Sequence, residues 1–412
     1  MARIFPFQPY RYSPKAGPIE KLVTQPYDKI SPEMQAGYLA QSPNNLVHVI
    51  LGERLPSDNE QQNVYTRAAG HLNDWIASGI LAQEAEPSLY AYFQEFSVPD
   101  TGEKLTRKGF IGLGAVEEYS ANIVHRHEQT LSGPKKDRME LLKHTHAHFG
   151  QIFMLYPDPK GEIDQILDEA AKGAPLGKIV DEYGATHTFY KISDPARVAK
   201  IQQLMSDKKL LIADGHHRYE TALAFCKDNP NLPGSGRVMM TFVNMNSNGL
   251  RILATHRLVN GLENFQASDL LASLDARKLA AIEDLKAIFA KSDLSKVRIG
   301  IAVHGLESVY LMERARAPRE LDVEVLHKEI LGGKLGIGED AVREERFLKY
   351  ARGIDPAFEA VRNGKAQVAF LLEPTTIEQV ADIAFGGGVM PQKSTDFYPK
   401  LLSGLTIYRL PQ

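Results

Sequence analysis

The sequence predicts an α/β protein, of the α+β kind, built in more than one domain. Three observations carry that expectation. The chain has 412 residues, 43% hydrophobic and 24% charged, an ordinary globular composition with enough material for more than one core. Apolar stretches of strand length, such as KKLLIAD and RVMMTFVNM, alternate with segments whose apolar residues recur at helical spacing. KKLLIAD itself runs through Asp214-Gly215 directly into a helical pattern.

The elements follow in order. Residues 1–30 mix short apolar pieces with prolines (IFPF, PYRYSP, LVTQPYDKIS), which predicts an edge strand, a loop and a second extended segment. Ser31 before Pro32 and Glu33 reads as an N-cap with proline in the first helical turn. Val64, Ala68, Leu72, Trp75 and Ile76 predict an amphipathic helix over 60–80. SLYAYFQEFSV and KGFIGLGAVEEY predict a hairpin around Asp100-Thr101-Gly102. Helices are expected at 161–173 and 194–206, with HTFYKI as a strand between them. KKLLIAD, RVMMTFVNM and LRILATHRLV read as three strands, and Tyr219, Ala222, Leu223 and Cys226 as one face of the helix after Gly215. From about 264 helical runs near 267–291 and 320–331 flank the strand VRIGIAVHG, and AQVAFLLE is another strand. The tail GGGVMPQKSTDFYPKLLSGL is polar and rich in glycine, proline and lysine.

Composition removes several function classes. A net charge of −3 gives no basic field for nucleic acid. Cys226, the single cysteine, excludes an intramolecular disulfide framework and a four-cysteine zinc site. MARIFPFQPYRY is too polar for the apolar core of a signal peptide, and no apolar run approaches the roughly 20 residues of a membrane span. The expectation is a cytoplasmic protein with a small-molecule substrate and no nucleic-acid or membrane partner.

The chemistry concentrates in LLIADGHHRYETALAF. A strand ends at Asp214, Gly215 permits a sharp turn, and a helix begins. Ligands in α/β sheets gather beyond the carboxyl ends of strands, and a helix start attracts anions. Arg218 adds a fork suited to phosphate, while Asp214 can hold magnesium or accept a proton. His216 and His217, adjacent on a helix, point about 100° apart and make poor joint metal ligands; His216 and Glu220 share a face, but no His-Glu-x-x-His pattern is present. Elsewhere, Asp28 in PYDKIS either caps a helix or serves as a base. In HRHEQTLSGPKKDRMELL, Ser132-Gly133-Pro134 reads as a turn before Lys135, Lys136 and Arg138 at a helix entrance. His125, His127 and Glu128 fit a loop lining a polar cleft, whereas His144, His146 and His148 read as surface groups or as supports behind the site. His256 and Arg257 end a strand toward the same cleft. Lys393, Ser394 and Thr395, after three glycines, suit a phosphate-binding loop, although GxxxxGK[ST] is absent.

Asp214-Gly215-His216-His217-Arg218 resembles the signature of the free-serine kinases of the ParB/sulfiredoxin-like superfamily. The whole chain resembles the prokaryotic domain-of-unknown-function family number one thousand and fifteen. The motifs are PYD at 26–28, HEQT with KKDR at 127–138, ADGHHRYETA at 213–222, THRLV at 255–259, and MPQKST followed by FYPKLLSGL at 390–405. The resemblance implies a ParB/sulfiredoxin-like phosphate-binding catalytic domain over 1–262, with an insertion near 82–200. It also implies a second α/β domain over 263–412 whose C-terminal loop returns to the site. The implied activity is phosphoryl transfer to a small hydroxyl compound, best matched by free L-serine, from ATP, ADP or pyrophosphate with Mg2+. Asp214, His216, His217 and Arg218, with Gly215, would hold the donor and metal; Lys393 and Ser394 would grip phosphate from the other side. The kinases' early glutamate base has no counterpart here, and Asp28 is the nearest candidate. A metal-dependent phosphohydrolase and a nucleotide-binding regulatory module remain alternatives.

Overall fold

A computed structural model of the chain describes residues 1–99, 101–128 and 132–411. Asp100 of the expected hairpin turn and Gln129 and Thr130 of the HEQT motif lie outside them.

A larger and a smaller sheet with helices packed against them result, as the α/β expectation requires. Among the described residues nine strands form the larger sheet. Its order is Val124–His125, Leu210–Asp214, Ile152–Tyr156, Arg237–Asn244, Lys104–Ala115, Leu89–Ser97, Thr186–Ile192 and Gly177–Val180, with Ile4–Phe5 extending Lys104–Ala115 on one side. The expected hairpin forms, antiparallel from Tyr90↔Ile111 to Ser97↔Lys104. Leu210–Asp214 runs parallel to Val124–His125 and antiparallel to Ile152–Tyr156. Every residue from Leu210 to Ala213 is buried, which is why this strand reads as an unbroken apolar run. The helices Glu162–Ala170 and Pro195–Met205 cover one face, their Ile163, Leu167, Ile201 and Met205 packed with Met154, Ile212 and Met240.

The second sheet has six strands among the described residues, all paired antiparallel. Its order is Arg277–Lys278, Val309–Ala315, Lys296–Val303, Val368–Leu372, Thr255–Val259 and Leu348–Arg352. LRILATHRLV, expected as one strand, divides at Ala254. Arg251–Leu253 pairs with Asp396–Tyr398, while Thr255–Val259 joins the second sheet. THRLV thus lies in the second sheet although it precedes residue 262. The helical run near 267–291 is two helices, Ala267–Ser273 and Ile282–Phe289, with Arg277–Lys278 between them.

Local signals behave as their chemistry dictates. Ser31 caps the helix Pro32–Gln41, its hydroxyl accepting from Met34 N at 3.2 Å. Asn63 caps Val64–Ala77, which buries Val64, Ala68, Leu72 and Trp75. Ser132-Gly133-Pro134, read as a turn, instead opens the helix Ser132–Thr145; proline is tolerated in a first helical turn, where its missing N–H costs nothing.

After the second sheet the chain returns to the first. Asp396–Tyr398 pairs with Arg251–Leu253, Ser403 bridges Thr24, Ile407 bridges Tyr10, and Tyr408–Arg409 pairs with Ala147–His148. A buried polar clamp fixes this stretch. Arg107, 1% exposed, donates to the carbonyls of Tyr398 (3.1 Å) and Pro399, and to Gln94 Oε1. Gln94 donates to the Lys400 carbonyl at 2.8 Å, and Leu402 N donates to the Tyr92 hydroxyl at 3.3 Å. His187, buried, meets Tyr92 at 2.6 Å and Asp181 at 3.1 Å.

Candidate functional site

The site is assembled where Leu210–Asp214 ends. Gly215 sits at φ 92°, the left-handed region, and caps the helix His216–Asp228 with no side-chain hydrogen bond. A Cβ at 215 would also stand 3.0 Å from the Arg218 guanidinium, so both backbone and packing select glycine. The helix buries His216, Tyr219, Thr221, Ala222 and Phe225. The expected face through Leu223 and Cys226 is therefore displaced, since those two are only half-buried.

Asp214 is ringed by cations. Arg218 Nη2 lies 3.3 Å from Oδ2 and Lys400 Nζ 3.7 Å from Oδ1. Burial opposes ionisation of Asp214, but Lys400, Arg218 and Lys29 together hold its carboxyl well below the usual carboxylate range. Lys400 is buried; its Nζ also lies 3.1 Å from Asp396 Oδ1. Burial disfavours the ammonium, yet Asp214, Asp396 and Asp28 raise its pKa, so it stays charged. Asp396 is held in turn by Arg352, 2.7 Å from Nε to Oδ2. Lys29, Lys393, Lys400 and Arg352, with Gln25, Thr395, Asp396 and Tyr183, line a pocket of about 240 Å3. Burial above all, with Lys400 and Lys393 close by, lowers the Lys29 pKa, while Asp28 and Asp214 act in the opposite direction.

The expected phosphate group divides in two. Lys393, exposed and at φ 57°, belongs to the lysine pocket. Arg218 does not. It donates to the Gln151 carbonyl and to Asp214, and with Arg138 it lines a separate, mostly apolar cavity. Arg138 pairs with Asp137 and covers the Tyr27 ring at 4.0 Å. Lys135 is paired with Glu220, which also receives Arg126 at 3.5 Å, and Lys136 is exposed. Arg218, Lys135 and Arg138, candidates for phosphate binding by their charge, are thus already engaged by carboxylates or a carbonyl, which corrects the expectation that they stand ready for phosphate. Ser394 is corrected too, being buried with its hydroxyl donated to the Pro391 carbonyl at 2.6 Å.

His216 is buried, its ring 4.8 Å from that of His127, and its Nε2 has no hydrogen-bond partner among the described residues. Burial, with His127 and His217 close by, holds it neutral. His217 is half-buried, its pKa lowered by burial and by Lys135 and Lys393. Asp28 lies in the turn Tyr27–Lys29, exposed, 3.9 Å from Lys29 Nζ; the capping role falls to Ser31 alone. His127 and Glu128 meet the tail directly: His127 Nε2 is 2.8 Å, and Glu128 Oε1 3.1 Å, from the Thr395 hydroxyl.

His256 and Arg257 do not face this cleft as substrate groups. His256 Nδ1 accepts from Leu372 N at 3.2 Å inside the second sheet, and burial takes its pKa down to about 4. Arg257, buried, donates to the carbonyls of Gln392 (3.3 Å) and Lys393 (3.0 Å), and so positions the loop that presents Lys393. His144 and His146 are exposed, as expected, whereas His148 stacks on Tyr408.

Asp214 does not fit an open metal ligand, because three cations already compensate it, and among the described residues no group of three His, Cys, Asp or Glu is placed to hold a metal. Also among them, no helix is long and apolar enough to cross a membrane. Sequence reasoning missed Lys29, Lys400, Asp396 and Arg352. The signal for Lys400 and Asp396 was the charged pair inside DFYPK, where the neighbouring Phe397 and Tyr398 are apolar enough to be buried.

Residues 4–325 match the family described as a protein of unknown function (DUF1015), and the chain belongs to that family. No curated protein matches the chain. Among solved structures, a free serine kinase in complex with AMP is similar at 13% identity and a TM-score of 0.37, over 69% of this chain and 89% of that one. A conserved hypothetical protein from Pyrococcus furiosus is similar at 11% identity and a TM-score of 0.34, over 67% and 87%. A C-terminally truncated SbnI from Staphylococcus aureus is similar at 10% identity and a TM-score of 0.36, over 72% and 87%.

Proposed function

We propose that this family member transfers a phosphoryl group from a nucleotide or pyrophosphate to a small hydroxyl compound, with free L-serine as the first acceptor to test. The observation that carries the reading is the lysine pocket. Lys29, Lys393, Lys400 and Arg352 converge on about 240 Å3 beside the glycine-capped helix start, an arrangement suited to a polyphosphate and to the charge that develops when its terminal group leaves. Lys400 is held by two carboxylates, so it is oriented before any ligand arrives. Asp28, exposed beside Lys29, would take the proton of an acceptor hydroxyl in this reading. His216 and His217 stand nearby as neutral groups able to accept or donate one hydrogen bond. A ParB/sulfiredoxin-like core is part of this reading. Magnesium enters as part of the donor, carried on its phosphates, and no step requires a resident metal.

The test is calorimetric titration with ATP, ADP and pyrophosphate, each with magnesium, followed by mass spectrometry of reactions with a panel of hydroxyl amino acids. Asp28→Asn should keep donor affinity and lower turnover about 100-fold or more, the usual contribution of a general base. Donor binding without any phosphorylated product would favour the regulatory-module reading. No saturable binding of any donor would end both.

A further inference from the structure

Thr395 has the surroundings of an activated nucleophile. Its hydroxyl carries one proton and meets two acceptors, His127 Nε2 at 2.8 Å and Glu128 Oε1 at 3.1 Å. The tautomer of His127 is dictated by geometry. Its Nδ1 lies 2.7 Å from the Ile212 carbonyl, which can only accept, so Nδ1 carries the hydrogen and Nε2 offers its lone pair to Thr395. Burial keeps this imidazole neutral. Glu128 also accepts from Thr395 N at 3.1 Å, fixing the backbone, and stands 3.7 Å from His127 Nε2. Nucleophile, base and a third group that orients the base are therefore all within hydrogen-bond reach. Thr395 also lines the lysine pocket, beside Lys393 and Lys400.

We propose that the Thr395 hydroxyl is a nucleophile that takes a phosphoryl group from the donor bound in the lysine pocket, so that the protein phosphorylates itself at this position. The inference rests on that pocket binding a phosphoryl donor, as proposed above, and adds an acceptor within the chain itself. Thr395 Oγ1 attacks the terminal phosphorus. The new Oγ1–P bond forms as the donor's bridging P–O bond breaks, and the electron pair leaves with the shortened donor. The hydroxyl proton passes to His127 Nε2, and the imidazolium so formed is compensated by the Glu128 carboxylate. Lys393 and Lys400 would face the charge on the transferring group.

The experiment incubates the full chain with ATP, ADP or pyrophosphate and magnesium. It reads the intact mass, then locates any added phosphoryl group by peptide mass spectrometry; binding of the same donors is measured in parallel. The expected result is one added phosphoryl group on Thr395 in the unaltered protein. Thr395→Ser should retain labelling, Thr395→Val should lose it while still binding donor, and His127→Gln should slow it at least 10-fold. Lys400→Met, run alongside, should also lose it. Equal labelling of Lys400→Met would assign the label to a co-purified kinase and overturn the proposal. Donor that binds but leaves residue 395 unmodified overturns it too, with the pocket reading intact. Absence of donor binding removes the pocket reading itself, and the two failures are thereby distinct.

Discussion

Replacing Lys400 by methionine tests the electrostatic centre of the site. The ammonium lies 3.1 Å from Asp396 and 3.7 Å from Asp214. At an effective dielectric constant of about 20, those separations correspond to gross attractions of roughly 5 and 4 kcal/mol. Desolvation of the buried ammonium offsets much of this. Removing one partner of a buried ion pair nevertheless costs about 3–5 kcal/mol, because the opposite charge stays behind. Here Asp396 keeps Arg352 and Asp214 keeps Arg218, so the lower end, about 3 kcal/mol at pH 7, is expected. The sign with pH follows. Both carboxyls are depressed in the folded protein, so their stabilising contribution is present above the unfolded pKa near 3.9 and is lost as pH falls through the folded values. In Lys400→Met the two carboxyls titrate higher, protonation relieves them sooner, and the deficit is smaller at pH 4 than at pH 7. Urea unfolding at the two pH values, extrapolated linearly, measures it. A deficit under about 1 kcal/mol at pH 7, or one that grows at pH 4, would refute the assignment of Lys400 as the shared counterion.

Other expectations come from single residues. Burial, with Asp322 nearby, pushes the Glu373 carboxyl up to about 7; the folded protein then binds this proton more tightly than the unfolded chain, stability falls between about pH 4.3 and 7 by on the order of 2–3 kcal/mol, and Glu373→Gln should abolish that fall in urea titrations. Gly215→Ala places a Cβ in a left-handed residue against Arg218 and should cost about 1–2 kcal/mol, read as a lowered urea midpoint with unchanged slope. Arg107→Met leaves the Tyr398 and Pro399 carbonyls without their buried donor; it should cost about 1–3 kcal/mol and speed amide exchange at Leu402 and Ser403, and unchanged exchange there would show that the clamp is not what holds the segment.

The junction at 214–218 was legible because three local signals coincide there: a buried strand, a glycine and an apolar helix face. The hairpin and the cap at Ser31 rest on equally local chemistry. The charged pair in DFYPK marks Lys400 and Asp396, but nothing in the sequence says that the Lys400 ammonium reaches Asp214, since only the return of the tail brings them together. Arg218 misled for a related reason. A guanidinium at a helix start suits phosphate, but here the Gln151 carbonyl and Asp214 take it first. LRILATHRLV read as one strand because Ala254 is no breaker; the division comes from two sheets competing for its halves. Val309–Ala315 and Leu348–Arg352 gave no clear alternation, their polar residues being spent on neighbours such as Arg314–Glu320 and Arg352–Asp396.

Asp396 and Lys400 follow both sheets in chain order, whereas Asp214 and the glycine-capped helix precede the second sheet. A chain emerging from the ribosome can thus finish its larger sheet, and then its smaller one, with Asp214 facing no lysine from the tail. Lys29 and Arg352 are made earlier, and Lys393 and Lys400 join them only when the stretch held by Arg107, Gln94 and Tyr92 has been made and docked. Translation order makes completion of the lysine pocket a late event, since Lys393 and Lys400 are made only after every strand of both sheets.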